Sequence, residues 1–297
     1  MSKPLEQTRK PVVRPKKGLG QHFLTDQTIA RNIVGALKGA GDGDMDGCDN
    51  SFDALEIGPG MGVLTQYLLA RSDLRLKVIE IDGESVRYLL EKWPQLGPVL
   101  YEADFLQTNL AKLFKGKFSV IGNFPYNISS QIFFKILDHK EQIPEVVCMI
   151  QKEVAERIAA PPGSKTYGIL SVLLQAWYDI EYLFTVGEGA FIPPPKVKSA
   201  VIRLTRNSRT KLDCDERVFK MVVKTAFNQR RKKLSNSLKP LIAGSAKSEK
   251  QSASESVIQV ADTPQKQLPS NSIPFAEARP EQLSIEQFIT LTQALES

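Results

Sequence analysis

No apolar run in this 297-residue chain approaches the roughly 18 residues that a membrane span requires. The longest candidate, GILSVLLQAW (168–177), reads as a buried helix instead. The N-terminus is basic but broken by prolines, and it lacks the apolar stretch of a secretory signal. Cysteine is scarce too. Cys48, Cys148 and Cys214 are odd in number and far apart, which disfavours disulfides and zinc and fits a reducing cytoplasm. The two histidines, His22 and His139, make no metal cluster on their own, and no metal is expected. No internal repeat is present.

Acid is missing from two stretches. Residues 1–17 hold six Lys or Arg against the single Glu6, and 217–240 hold eight with no acid at all. The whole chain carries +6 with a pI near 9.1. Two separate basic runs favour a polyanionic partner over a merely solvated face.

What is present alternates. A helix is expected over about 26–38. FDALEIGPGMG reads as a strand turning through glycines into a helix over about 61–70. LKVIEID, VLYEADF, FSVIGNFPY and EVVCMIQKEV read as further strands, with helices at 84–93 and in ISSQIFFKIL. That order predicts an α/β fold: a Rossmann-like parallel sheet with helices on both faces. IEYLFTV and SAVIRLT follow without an intervening helix, so an antiparallel edge is expected. After about Arg206 only helical patterns remain, including RRKKLSNSLKPLI. The expected division is a basic arm over 1–17, an α/β domain over 18–206 and a small all-helical domain over 207–297. Within the last, the Ser-, Gln- and Lys-rich 245–272 reads as a disordered insertion. With no dimerisation motif evident, a monomer is expected.

EIGPGMG puts Gly58, Gly60 and Gly62 directly after the first strand, where glycine permits a tight turn and close approach of a ligand. A dinucleotide fingerprint wants Gly or Ala at its sixth position, and Val63 stands there. G-x-G-x-G after an acid, Glu56, resembles S-adenosylmethionine (SAM) methyltransferases instead. Glu80 ends the second strand about twenty residues on, placed to take ribose hydroxyls. Asp104 ends the third, where a carboxylate can accept from an adenine amine. Both acids fall at strand ends, where such folds bind ligands.

NFPYNISS (123–130) lies at the tip of the fourth strand. Pro125 cannot donate to a ladder, so the strand stops there. An exocyclic base amine is a poor nucleophile because its lone pair is delocalised into the ring. Two acceptors aimed at its N–H groups, the Asn123 side-chain oxygen and a carbonyl beside Pro125, would turn that lone pair toward a methyl donor. Tyr126 would stack on the base. Such chemistry is positioning plus electrostatics, with the base unpaired or flipped out. A second motif is weaker: DGDMDGCDNSFD (42–53) has the spacing of a calcium loop but carries Asp49 where an apolar residue belongs, and a strand follows it. It reads as a solvated loop.

KKGLGQHFL, ALEIGPGMGVLT, VIEID, EADF, GNFPYNISS, MIQKEVAERI, FIPPPKVKSAVIRL and AFNQRRKKLSNSL together carry a resemblance over nearly the whole chain. It resembles the ribosomal small-subunit RNA adenine N6,N6-dimethyltransferases of the kasugamycin-sensitivity (KsgA) type. The resemblance implies transfer of methyl groups from SAM to two adjacent adenines of a small-subunit rRNA hairpin in a pre-ribosomal particle. It implies that His22, Leu24, Gly58, Gly60, Glu80, Asp104 and Asn123 contact the cofactor, with Gln21 beside them. It implies that Asn123, Pro125 and Tyr126 hold the target base, that Phe191 supplies a second stacking face, and that a basic helix, Arg230, Arg231, Lys232 and Lys233, faces the RNA. The family more often has Asn at His22, Leu at Phe124 and Thr at Ser130. Three alternatives stand beside it: a non-catalytic assembly factor, a large-subunit rRNA methyltransferase of the erythromycin-resistance type, and a dinucleotide oxidoreductase. The glycine spacing disfavours the last.

Overall fold

The computed structural model describes residues 13–39, 51–242 and 273–296. The chain divides into two compact units. One comprises the described residues of Met1–Glu156 with Tyr178–Asn207, the other those of Arg157–Trp177 with Ser208–Ser297.

The first unit holds nine strands: β1 (Phe23–Leu24), β2 (Phe52–Ile57), β3 (Leu74–Glu80), β4 (Leu100–Glu102), β5 (Ser119–Asn123), β6 (Glu145–Gln151), β7 (Tyr178–Val186), β8 (Phe191–Ile192) and β9 (Ser199–Arg206). Between them run α1 (Gln27–Ala36), α2 (Thr65–Leu68), α3 (Gly83–Lys92), α4 (Leu110–Leu113) and α5 (Ser129–Asp138), while α6 (Lys152–Ala159) contains the boundary between the units. Seven strands form one sheet in the order β4-β3-β2-β5-β6-β9-β7. The first five are parallel; β9 runs antiparallel to β6, and β7 to β9. The central strands β5 and β6 are buried along nearly their whole length, with apolar cores VIG and VVCMI, because both their faces are covered. From β2 the chain winds outward through β3 and β4, then returns to start again at β5. With right-handed crossovers, that reversal puts α2 and α3 on one face and α5 on the other. It also opens a crevice beyond the tips of β2 and β5, the place where such sheets bind ligands.

Two local features shape the crevice. Gly60 and Gly62 take positive φ, so 60–64 is held in turns and the helix expected from 61 begins only at Thr65. β1 and β8 pair antiparallel as a separate two-stranded ribbon, Phe23 opposite Ile192 and Leu24 opposite Phe191. Two-residue strands show no periodicity, and neither was anticipated from sequence. α1 starts on Asp26, whose carboxylate accepts from Thr28 N and Ile29 N at 2.8 and 3.0 Å.

The second unit contains α7 (Ile169–Gln175), α8 (Glu216–Asn228), α9 (Leu234–Ser237), α10 (Lys239–Ile242) and α11 (Ile285–Glu296). α8 buries Phe219, Val222, Val223, Ala226 and Phe227, a helical stripe packed on α7 and α11. Phe227 meets Phe288 at 5.9 Å between ring centroids and Tyr167 edge-on at 6.2 Å. Residues 157–177, read from sequence as part of the 18–206 domain, group with these C-terminal helices. The basic helix expected at Arg230–Lys233 is instead the turn between α8 and α9. Lys232 N bonds Gln229 O and Arg230 N bonds Phe227 O, both i to i−3, so the helical ladder has ended. Residues 1–12 of the basic arm, most of the acidic loop and the whole of 245–272 lie outside the described residues.

Candidate functional site

A crevice of about 260 Å³ opens at the tips of β2, β3 and β5. Its lining includes His22, Leu24, Gly58, Gly60, Glu80, Asp104 and Asn123, the seven residues expected to contact a cofactor. Pro125 and Tyr126 line it too, and so does Gln21. Gly58 takes φ +64, and a Cβ built there would meet nothing within 4 Å, so the backbone is bare to the crevice. A Cβ on Gly60 would strike the Phe23 ring at 2.8 Å. The turn therefore needs glycine both for conformation and for contact with the β1 segment.

Three carboxyls face this space: Glu56, Glu80 and Asp104. Glu80 accepts from Gly60 N at 3.0 Å and from Asp82 N at 2.9 Å, which ties the glycine turn to the tip of β3. Burial pushes its carboxyl up. Burial alone would also raise Asp82, but bonds from Lys16, Glu84 N, Gln21 and Ser85 hold it below its usual range. Lys16 and Gln21 thus fasten the segment before β1 to the cap of α3. Asp104 accepts from Leu106 N at 2.8 Å. Below it, Lys135 on α5 donates to the carbonyls of Phe105, Leu106 and Thr108 at 2.5, 3.1 and 2.5 Å, committing all three protons to one loop. Burial pushes the Lys135 ammonium down. Glu56 is only 1% exposed; Oε2 accepts from Thr65 at 2.7 Å, and Oε1 has no hydrogen-bond partner among the described residues. Burial pushes this carboxyl up to about 8.

At the tip of β5, Asn123 Nδ2 donates to the His22 carbonyl at 3.0 Å. A carbonyl only accepts, so the amide must present nitrogen there and its Oδ1 is left as an acceptor. The Pro125 carbonyl is taken by Ile128 N at 3.2 Å, whereas the Phe124 carbonyl receives no bond among the described residues. The second acceptor beside Pro125 is therefore that of Phe124. The Tyr126 hydroxyl bonds Ser199 at 2.5 Å, and its ring stacks on His22 with centroids 5.5 Å apart. The His22 ring is anchored in turn by Nδ1 on the Pro193 carbonyl at 2.9 Å. Burial pushes the Tyr126 phenol up, which keeps it neutral.

Not every expected residue gathers here. Phe191 is 2% exposed and packs in the core with Leu24 and Val201; its ring does not line the crevice. It secures the β1–β8 ribbon in this conformation. Arg230, Arg231, Lys232 and Lys233 belong to the second unit. Arg230 bonds Ser164 O at 3.2 Å and lies 3.9 Å from Glu281, and Lys233 pairs with Glu277. Arg231 and Lys232 are exposed, with no ion-pair partner among the described residues. Sequence reasoning missed Lys16, Lys135 and Ser199, whose contacts are made across long separations in the chain. Among the described residues no three His, Cys, Asp or Glu side chains cluster as a metal site, and no helix is long and apolar enough to cross a membrane.

Residues 12–268 match the family model described as ribosomal RNA adenine dimethylase. The chain is 56% identical over 281 residues to the "Ribosomal RNA small subunit methyltransferase A" of Parabacteroides distasonis, covering 95% of this chain and 94% of that one. It is 53% identical over 286 residues to the protein of the same name from Bacteroides thetaiotaomicron, covering 96% and 95%. Among solved structures it resembles a dimethyladenosine transferase from Plasmodium falciparum (TM-score 0.66, 23% identity, 91% of this chain and 96% of that one). It also resembles the 23S rRNA methyltransferase ErmE (TM-score 0.56, 23% identity, 93% and 100%). The two structural likenesses concern the fold.

Proposed function

Because the chain belongs to the ribosomal RNA adenine dimethylase family, we propose that it transfers methyl groups from SAM to the N6 amines of two adjacent adenines in small-subunit ribosomal RNA. Its substrate is the RNA within a pre-ribosomal particle, met by a monomer in the cytoplasm.

The crevice suits the cofactor on its own terms. Gly58 leaves a cradle that no Cβ fills, and Glu56 Oε1 is a buried acceptor without a donor among the described residues. The carboxyls of Glu56, Glu80 and Asp104 match a ligand rich in hydroxyl and amine donors. Glu80 would take the ribose hydroxyls and Asp104 the adenine amine, with His22, Leu24, Gly60 and Asn123 alongside. When bound, SAM supplies a methyl group activated by its sulfonium charge.

What remains for the chain's own residues is to make a poor nucleophile attack. The Asn123 Oδ1 and the Phe124 carbonyl accept hydrogen bonds from the two N6 N–H groups of adenine. The nitrogen lone pair is thereby drawn out of the ring and turned away from both acceptors. Each methyl group gained displaces one N6 proton, which leaves to water. Tyr126 supports the base face, itself held by Ser199 and His22. These groups are preorganised and need no rearrangement as charge develops on nitrogen. Pro125 fixes the turn that separates the two acceptors. Arg231 and Lys232 hold phosphates. The observation that carries this reading is the Asn123 amide, oriented by the His22 carbonyl with its oxygen left to accept. The test is transfer of labelled methyl groups to small ribosomal subunits that lack them, with N6,N6-dimethyladenosine identified in the digested RNA. Label absent from small-subunit RNA, or found in large-subunit RNA instead, overturns the proposal.

A further inference from the structure

The target adenine of a structured RNA is stacked, and extracting it leaves a gap that its neighbours tend to close. Resting on the function proposed above, we infer that the loop 192–198 (IPPPKVK) is a wedge that enters the RNA beside the extracted adenine, with Ile192 filling the vacated space. Both ends of the loop are bolted to the Tyr126 platform, one through the His22 ring stacked on it and one directly. The Pro193 carbonyl accepts from the His22 ring at 2.9 Å, and Ser199 bonds the Tyr126 hydroxyl at 2.5 Å. Lys152 N fixes the Lys198 carbonyl at 2.9 Å. Three consecutive prolines stiffen the span, so little ordering entropy is lost on contact. Ile192 follows Phe191 on β8 and points the opposite way: Phe191 is buried in the core while Ile192 is 60% exposed. Val197 is 43% exposed on the same loop. Bare apolar side chains on a rigid loop are the form that proteins use to pry apart base steps. The chemistry of the flanks says which partner they meet. Lys196 and Lys198 are exposed with no ion-pair partner among the described residues, and the loop holds no acid, so it suits a phosphate backbone better than an apolar protein face.

A wedge is needed only where a base must be unstacked, and that separates it from a structural role. Ile192→Ala is compared with wild type on a small-subunit rRNA hairpin and on a short unstructured oligonucleotide containing the same adenines. On the hairpin, kcat/KM falls by at least about 10-fold, and the fluorescence gain of 2-aminopurine placed at the target position is lost. On the oligonucleotide, the change stays within about 2-fold, and Ile192→Leu restores the hairpin rate. Equal loss on both substrates, or no loss on either, overturns the wedge. If wild type itself methylates neither RNA nor small subunits, the proposed function has failed instead.

Discussion

Replacing Glu56 by glutamine removes a carboxyl that the fold buries almost completely without a full set of hydrogen-bond partners. Thr65 serves Oε2, no described residue serves Oε1, and burial carries the group from 4.5 to about 8. That rise corresponds to a cost on the order of 5 kcal/mol for holding the group ionised in the folded chain. Between pH 4.5 and about 8 the folded chain keeps a proton that the unfolded chain has released. The stability this one group contributes is therefore full below pH 4.5 and is lost as pH rises through that window. Glutamine is neutral throughout. Without cofactor, Glu56→Gln should match wild type within ~1 kcal/mol at acid pH. Above pH 8 it should be more stable by about 3–5 kcal/mol, or roughly 2 °C of Tm for each kcal/mol. Glu80, also raised by burial, leaves some slope in the variant. The assay is thermal and urea unfolding of both proteins across that range. Parallel stability curves for the two proteins would refute the burial argument.

Two further perturbations probe other parts of the site. Lys135→Met leaves three loop carbonyls without their donor and loosens the segment that carries Asp104. KM for SAM should rise about 10-fold with RNA affinity unchanged, and Lys135→Arg should recover part of it; an unaltered KM for SAM would show that the loop holds itself. Arg231→Ala with Lys232→Ala should weaken RNA binding and lower the slope of log affinity against log salt by roughly 1–2. Arg230 and Lys233 already serve Glu281 and Glu277, so their removal should change that slope less. An unchanged salt slope in the double variant would remove this turn from the RNA contacts.

The parallel sheet was readable because short strands rich in Val, Ile and Leu alternate with helical periods along the chain. Gly58, Gly60, Glu80, Asp104 and Asn123 could be placed together from the sequence for a related reason: they sit at strand tips or in a glycine turn, positions that chain order already brings to one end of a sheet, whereas His22 and Leu24 rested on the family resemblance alone. What escaped depends on contacts distant in sequence. β1 and β8 pair across more than 160 residues, too briefly to leave a pattern. Lys135 looks like any basic residue in a helix until the loop of Asp104 folds over it. The segment 157–177 reads on from β6, yet its apolar side chains find their partners around α8. Arg230–Lys233 has helix-forming residues, but the tight turns after Asn228 end the helix before them.

Asn123 tests the central claim most directly. Asn123→Ala removes the acceptor oxygen while leaving the Tyr126 platform in place. Single-turnover methyl transfer on unmethylated small subunits, measured alongside RNA binding, should fall at least about 10²-fold with affinity within about 2-fold of wild type. Transfer at the wild-type rate would mean that no oxygen at this strand tip directs the adenine nitrogen.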